Sequence, residues 1–405
     1  MKKNQKIIYK NFIQKEFLKQ KNRKNFEILF SKIKKNILLN VNNSKNMFNT
    51  LNANFRLNFN SQDLRSFKKF KTIVIIGMGG SILGAEAIYT FLKKKIKKDF
   101  LFLDNIDDNK LKEIKNKKKL DQILFILISK SGNTIETLSN INVLKIAKKR
   151  SKNIIVISEK KQNHLYSLVK KMQLFYIEHR KYVGGRYSVL SEVGMLPSEL
   201  MGLNPQKFRQ LNNLVKNKFF MNALIKDVSA TVFYLKKKKF NSIIINYDET
   251  STNLFNWYQQ LIAESLGKKG NGILPIISNM PKDNHSVMQL YLDGFKNNFF
   301  TFFFVKENNS TKIKNDEILD NFRHLKHKNL NEIMYAQKKA TENVFKMKNI
   351  PFRSFEVNRR DEKTLGELFC FFILETILIG KCLNINPFNQ PAVELIKKET
   401  TKILN

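Results

Sequence analysis

The chain has 405 residues, 42% of them hydrophobic with 34 Phe, which is material for two or three domains with a sizeable core and excludes intrinsic disorder. Lys+Arg exceeds Asp+Glu by 73 − 34 = 39. That surplus is mostly Lys, scattered in short runs along the whole chain, so it reads as solvated faces in an AT-rich coding background rather than as a nucleic-acid arm.

Cys370 and Cys382 are the two cysteines. They have no close-spaced partners, which excludes a disulfide framework or a cysteine-based metal site and points to a reducing compartment. The basic start is not followed by an apolar stretch, so no signal peptide is expected. The greasiest stretch, 368–380, is interrupted by Glu375 and is too short to span a bilayer. The expectation is a soluble cytoplasmic protein without nucleic-acid or membrane partners.

In chain order, residues 1–50 are rich in Lys and Asn with apolar residues at helical spacing and predict an N-terminal helical segment. From residue 73 short apolar runs alternate with helix-length stretches: strands at 73–76, 100–103, 123–128, 154–157 and 174–177, helices at 85–95 and 134–149. This is the rhythm of a parallel sheet covered on both faces. A second set follows Pro197 and Pro205, with strands at 242–246, 272–277, 299–305 and 352–357 and helices at 252–266, 286–293, 330–348 and 363–379. Pro391 opens a last helix. The fold class is therefore α/β, with two layered domains of about 51–200 and 201–405, the boundary falling near 198–210.

Two loops suit a phosphate. Gly77-Met78-Gly79-Gly80-Ser81 follows a buried strand and precedes a helix, where backbone N–H groups and the helix terminus attract an anion. It fits neither a dinucleotide fingerprint, since Ile82 stands where the third Gly would be, nor a P-loop, since Ala85 replaces the lysine. Ser129-Lys130-Ser131-Gly132-Asn133-Thr134 follows the next apolar strand, and its three hydroxyls suit a dianionic group. Helix capping or a packing turn would explain either loop alone. Both fall on the carboxyl edge of one sheet, where open α/β folds bind ligands, which favours a phosphorylated small molecule.

Further along, Gly184-Gly185-Arg186 sets a fixed cation beside permissive backbone. Gln260 and Glu264, four apart, share a helix face among apolar neighbours; the plainer role for Glu264 is pairing with Lys268. His285 follows Asp283-Asn284 near a helix start. The other four His lie in Lys-rich contexts, and no metal site is expected. Gln390 and Lys397 are seven apart, on one helical face.

Taken together, the segments 77–81, 129–137, 183–194, 259–268, 283–294 and 385–395 resemble the phosphoglucose isomerase family, in the family's order. The resemblance implies two flavodoxin-like α/β/α sandwich (sugar-isomerase) domains, an aldose–ketose isomerase of hexose 6-phosphates without cofactor or metal, and a homodimer. It implies that Gly80, Ser81, Ser129, Ser131 and Thr134 hold the phosphate, with Lys130 contributing main chain. Glu264 would move a proton between C1 and C2, Arg186 would stabilise the enediolate, and Gly185, Gln260 and Gln390 would line the sugar. His285, from the partner subunit, and Lys397 would open the ring. Asn389, Ala392 and Ile396 depart from the family's usual residues around Lys397. The competing readings are a sugar-phosphate isomerase that also accepts mannose 6-phosphate, a non-catalytic sugar-phosphate sensor, and a nucleic-acid binder.

Overall fold

The computed structural model describes residues 6–12, 31, 34–117, 119–314 and 320–405. Its frame is two five-stranded sheets. The first contains β2 (Thr72–Gly77), β3 (Asp99–Leu103), β4 (Ile123–Ile128), β5 (Ile154–Ser158) and β6 (Phe175–Glu178) in the order β3-β2-β4-β5-β6, all parallel. Counted from β2 this is the flavodoxin-like order 2-1-3-4-5, whose reversal point lies between β2 and β4. Both strands are buried along their whole length, which is why they read as continuous apolar runs.

The second sheet contains β7 (Asn241–Asn246), β8 (Leu274–Asn279), β9 (Asn298–Val305) and β10 (Phe352–Val357) in the order β10-β9-β7-β8, parallel to one another. Counted from β7 the order is again 2-1-3-4. Its fifth strand comes from the opposite end of the chain: β1 (Ile7–Phe12) pairs antiparallel with β10, Ile7 facing Val357 and Phe12 facing Phe352.

This strand corrects the expectation of helix at the N-terminus. Tyr9 stacks on Phe371 at 5.1 Å and donates to Glu367, Lys10 pairs with Glu356 at 2.7 Å, and Asn11 donates to Asp227 at 2.7 Å. These long-range partners outweigh local helical spacing, because an edge position offers a full ladder of backbone hydrogen bonds. Residues 34–40 are helical as expected, whereas 13–30 lie outside the described residues.

Helices cover both sheets. Those that matter for the site are α1 (Leu83–Phe91), α2 (Ile135–Leu144), α3 (Glu192–Leu200), α4 (Thr252–Leu266), α5 (Leu330–Met347), α6 (Glu362–Cys382) and α7 (Val393–Leu404). The α2 helix stops at Leu144 rather than 149, because Lys145 takes a left-handed conformation (φ 52°) and caps it. One continuous apolar core joins Ile73 and Ile75 of the first sheet to Ile244 and Phe303 of the second, through α1, α4 and α6. The contact of α1 with α4 is the seam that brings the carboxyl edge of the first sheet to the C-terminal half of α4. Among the described residues no helix is long and apolar enough to cross a membrane.

Candidate active site

Both glycine- and hydroxyl-bearing loops leave the carboxyl edge of the first sheet on neighbouring strands, the first after β2 and the second after β4, at the reversal point. In the second loop Ser129 Oγ lies 2.7 Å from Thr134 Oγ1 and 3.4 Å from Ser131 Oγ. Three hydroxyls thus converge on one small volume. Gly132 closes the turn with φ 70°, and a Cβ there would fall 1.8 Å from Asn163 Oδ1.

The first loop is pressed against the segment that carries Arg186. A Cβ on Gly80 would fall 2.2 Å from the Gly185 carbonyl carbon, and one on Gly79 would meet Gln260 Nε2 at 2.7 Å. Ser188 Oγ donates to the carbonyls of Gly185 (2.6 Å) and Gly80 (3.2 Å), stitching the two segments. Only glycine permits this approach of backbone to backbone.

Arg186 is buried and is the hub of the site. Its Nε donates to Ser265 Oγ (2.8 Å), Nη1 donates to Gln390 Oε1 (2.9 Å), and the same Nη1 forms an ion pair with Glu264 Oε1 (3.0 Å). Nη2 donates to the carbonyls of Pro387 (2.7 Å) and Asn389 (3.1 Å). Four of the guanidinium's five N–H bonds thus have acceptors, and the Glu264 carboxylate balances its charge. Tyr187 Oη, whose pKa is pushed up by burial, lies 2.9 Å from Ser265 Oγ and 3.0 Å from the Pro387 carbonyl. A consistent proton order runs from Arg186 Nε to Ser265, from Ser265 to Tyr187, and from Tyr187 to Pro387.

Glu264 sits on the C-terminal turn of α4 with its side chain 23% exposed. One carboxylate oxygen forms an ion pair with Arg186, and the other accepts from Gln260 Nε2 at 3.0 Å. The local alternative does not occur, since Lys268 Nζ donates to the Asn386 carbonyl at 2.6 Å instead. The carboxylate faces a cavity of about 550 Å³ shared with Gln390, Lys268 and Asn386. A larger cavity, about 770 Å³, lies between β9, β10 and α5 and includes none of these residues.

The structure therefore gathers Gly80, Gly185, Arg186, Gln260, Glu264 and Gln390 through direct contacts, with Ser81 closing the turn of the first loop. Ser129, Ser131 and Thr134 form their own hydroxyl cluster, joined to the Arg186 segment by Lys130, whose Nζ donates to the Val183 carbonyl. Two expected residues stand apart. His285 is exposed, at the end of a short turn after β8. Lys397 lies on α7, which buries no residue, and pairs with Glu394 at 2.7 Å. Ser265 and Tyr187 are additions that sequence reasoning misses; the one available signal is that each directly follows a singled-out residue. Among the described residues no group of three or more His, Cys, Asp or Glu side chains is gathered for a metal ion.

The phosphoglucose isomerase family model matches residues 14–405. The "Probable glucose-6-phosphate isomerase" of Methanococcus maripaludis is 34% identical over 351 residues, covering 82% of this chain and 78% of that one. The glucose-6-phosphate isomerase of Methanocaldococcus jannaschii is 33% identical, covering 84% and 86%. In fold, a hypothetical protein from Thermus thermophilus superposes with a TM-score of 0.80 at 22% identity over 98% of this chain and 100% of that one. A glucose-6-phosphate isomerase from Chlamydia trachomatis does so at 0.72 and 19%, over 85% and 71%.

Proposed function

The chain belongs to the phosphoglucose isomerase family and interconverts D-glucose 6-phosphate and D-fructose 6-phosphate; we propose that Glu264 is the base that carries the proton between C1 and C2. The observation that supports this most is the paired grip on its carboxylate, Arg186 on one oxygen and Gln260 on the other. Aldose–ketose exchange needs a positioned base on a weakly acidic C–H and a cation beside the oxygens that become the enediolate. Glu264 and Arg186 meet both needs in one contact pair.

In this reading the substrate's phosphate rests on the backbone of Gly80 and Ser81 and on the hydroxyls of Ser129, Ser131 and Thr134, with the Lys130 main chain beside them. Gly185, Gln260 and Gln390 line the sugar. Substrate oxygens displace part of the hydrogen bonding that now holds Arg186, so the cation is handed from the protein's own acceptors to the developing enediolate. Ring opening falls to Lys397 and to the partner subunit's His285, which makes the working unit a homodimer. Cys370 and Cys382 are both unpaired, which supports a cytoplasmic setting. The first sugar-isomerase domain, 51–200, supplies the phosphate loops, and the second, 201–405, supplies the base.

The test is conversion of fructose 6-phosphate to glucose 6-phosphate by purified chain with no added metal or nucleotide, alongside Glu264→Gln. Loss of a positioned base lowers kcat by about 10²–10⁴-fold, whereas inhibition by inorganic phosphate should persist because the phosphate loops are untouched. A Gln variant that isomerises near the parent rate means that Glu264 is not the base.

A further inference from the structure

Lys130 lies in the middle of the hydroxyl-rich loop, and a lysine there is easily read as an electrostatic ligand of the phosphate. Its side chain is committed elsewhere. The ammonium donates to the carbonyls of Val183 (2.8 Å) and Lys181 (3.2 Å), and Glu159 Oε1 stands 3.6 Å away. Two of the ammonium's three N–H donors are thus taken by these carbonyls, with the Glu159 carboxylate as an ion-pair partner rather than a third acceptor. Both carbonyls belong to the stretch that runs directly into Gly185 and Arg186. Val183 is fully buried, and Gly184 starts the helical turn that carries Arg186.

The attachment is anchored at both ends. On the loop side, Ser129 N–H donates to the Ile157 carbonyl, and Glu159 N–H donates to the Lys130 carbonyl at 3.2 Å, fixing the lysine's backbone to β5. Glu159 is itself held by Lys161 at 2.7 Å. On the far side, the Val183 amide donates to the Arg180 carbonyl, and Arg180 pairs with buried Glu192 at 3.0 Å. Burial holds the Lys130 pKa below the ordinary lysine value, opposed by Glu159, and Arg186 is near enough to lower it further.

We propose that Lys130 is a positioning residue whose ammonium ties the phosphate-binding loop to the Arg186 segment, so that a phosphate seated on Ser129, Ser131 and Thr134 sets the guanidinium against Glu264. This rests on the reading of the site given above. Binding energy from the unreactive end of the substrate is thereby spent on geometry at the reacting end, which raises kcat rather than tightening binding.

The test is Lys130→Met, which keeps the apolar stem and removes the ammonium, with Lys130→Arg as the conservative variant. The Met variant should lose roughly 10- to 100-fold in kcat, the scale of a positioned group let go, with the inhibition constant of inorganic phosphate close to the parent's and partial recovery in the Arg variant. In an Arg186→Lys background, Lys130→Met should add little further loss, because both act through one group. A phosphate inhibition constant weakened along with KM, at preserved kcat, would make the ammonium a phosphate ligand and overturn the proposal. So would additive losses in the double variant. Should Lys130→Met fail to fold, Glu159→Gln loosens the same ammonium and should move kcat in the same direction; unchanged kcat there overturns the proposal. If Arg186→Lys itself leaves kcat intact, the reading of the site falls. If it costs activity and the Lys130 variants do not, only the role of Lys130 falls.

Discussion

Glu264 and His285 lie at opposite edges of the second sheet. Glu264 closes the C-terminal end of α4, where Gln259 one turn earlier donates to the carbonyl of Pro275 at the start of β8. His285 follows the far end of that same strand. Six residues of strand separate the two edges, on the order of 20 Å at 3.3 Å per residue. On the proposed reading, in which both serve one sugar, this spacing is the reason to assign His285 to a second copy of the chain.

That separation makes a sharp prediction for mixed oligomers. Glu264→Gln and His285→Gln should each be inactive alone. Co-expressed in equal amounts they should recover about a quarter of parental activity, since half of the two-fold dimers are mixed and one of their two sites is intact. Recovery at the background level would return His285 to its own subunit's site, and an active His285→Gln variant would place it outside the catalytic site.

Local pattern makes part of this fold legible in the sequence, and distant partners decide the rest. β4 (Ile123–Ile128) is legible to the residue because a strand buried on both faces is an unbroken apolar run. The two loops are legible as strand-to-helix turns because glycines and hydroxyls follow directly on the apolar strands β2 and β4. β1 is not, since the partners of Tyr9, Lys10 and Asn11 lie at Phe371, Glu356 and Asp227. The long helix Lys218–Lys236 also escapes sequence reading; its buried face mixes Asp227, Ser229 and Thr231 with apolar residues and blurs the period. Ser265 and Tyr187 escape because their role is to hold Arg186, and no spacing rule encodes a hydrogen bond across 78 or 79 residues.

Arg186→Lys should fail twice over. An ammonium has at most three donors for the four acceptors and one carboxylate now served, so the buried carbonyl of Pro387 and that of Asn389 lose partners along with Ser265. Stranding a buried acceptor costs about 1–3 kcal/mol, to be read as a lowered unfolding midpoint. Removing the planar fork from the enediolate should reduce kcat by about 10²–10³-fold. If steady-state kinetics show a change in KM alone, Arg186 binds the sugar and does not stabilise charge.

Gly80→Ala tests whether the glycine loop is built for contact or for flexibility. Gly80 does not have a positive φ, so the added methyl meets no backbone strain of its own. It meets the Gly185 carbonyl carbon at 2.2 Å, a backbone atom that cannot rotate away. The loop and the Arg186 segment must separate, and a displacement near 1 Å at a positioned group is worth about 10²-fold in rate. An alanine variant with parental kcat would show that the two segments move apart without disturbing Arg186.

The acid side of the stability profile should carry the signature of His179. Its imidazole is buried, Nδ1 lies 3.1 Å from the Arg180 carbonyl, and burial, aided by the charge of Lys130, pulls its pKa down to about 4. The unfolded chain takes up this proton near pH 6.5, while the folded chain resists until about pH 4. The contribution of His179 to stability is therefore full above pH 6.5 and declines as the pH falls through that window, by roughly 3 kcal/mol in total. Glu356 acts lower down. Burial would raise its pKa, but hydrogen bonds from Lys10 and Lys338 outweigh this and bring it to about 2, so its contribution is lost only below about pH 4.5. Asp227, whose carboxyl pKa burial raises to about 7, contributes the opposite slope over the same interval. The difference between parent and His179→Gln in denaturant titrations between pH 4.5 and 7 therefore isolates the histidine: the parent's stability should rise with pH relative to the variant's, whereas parallel profiles would assign the acid sensitivity to another group.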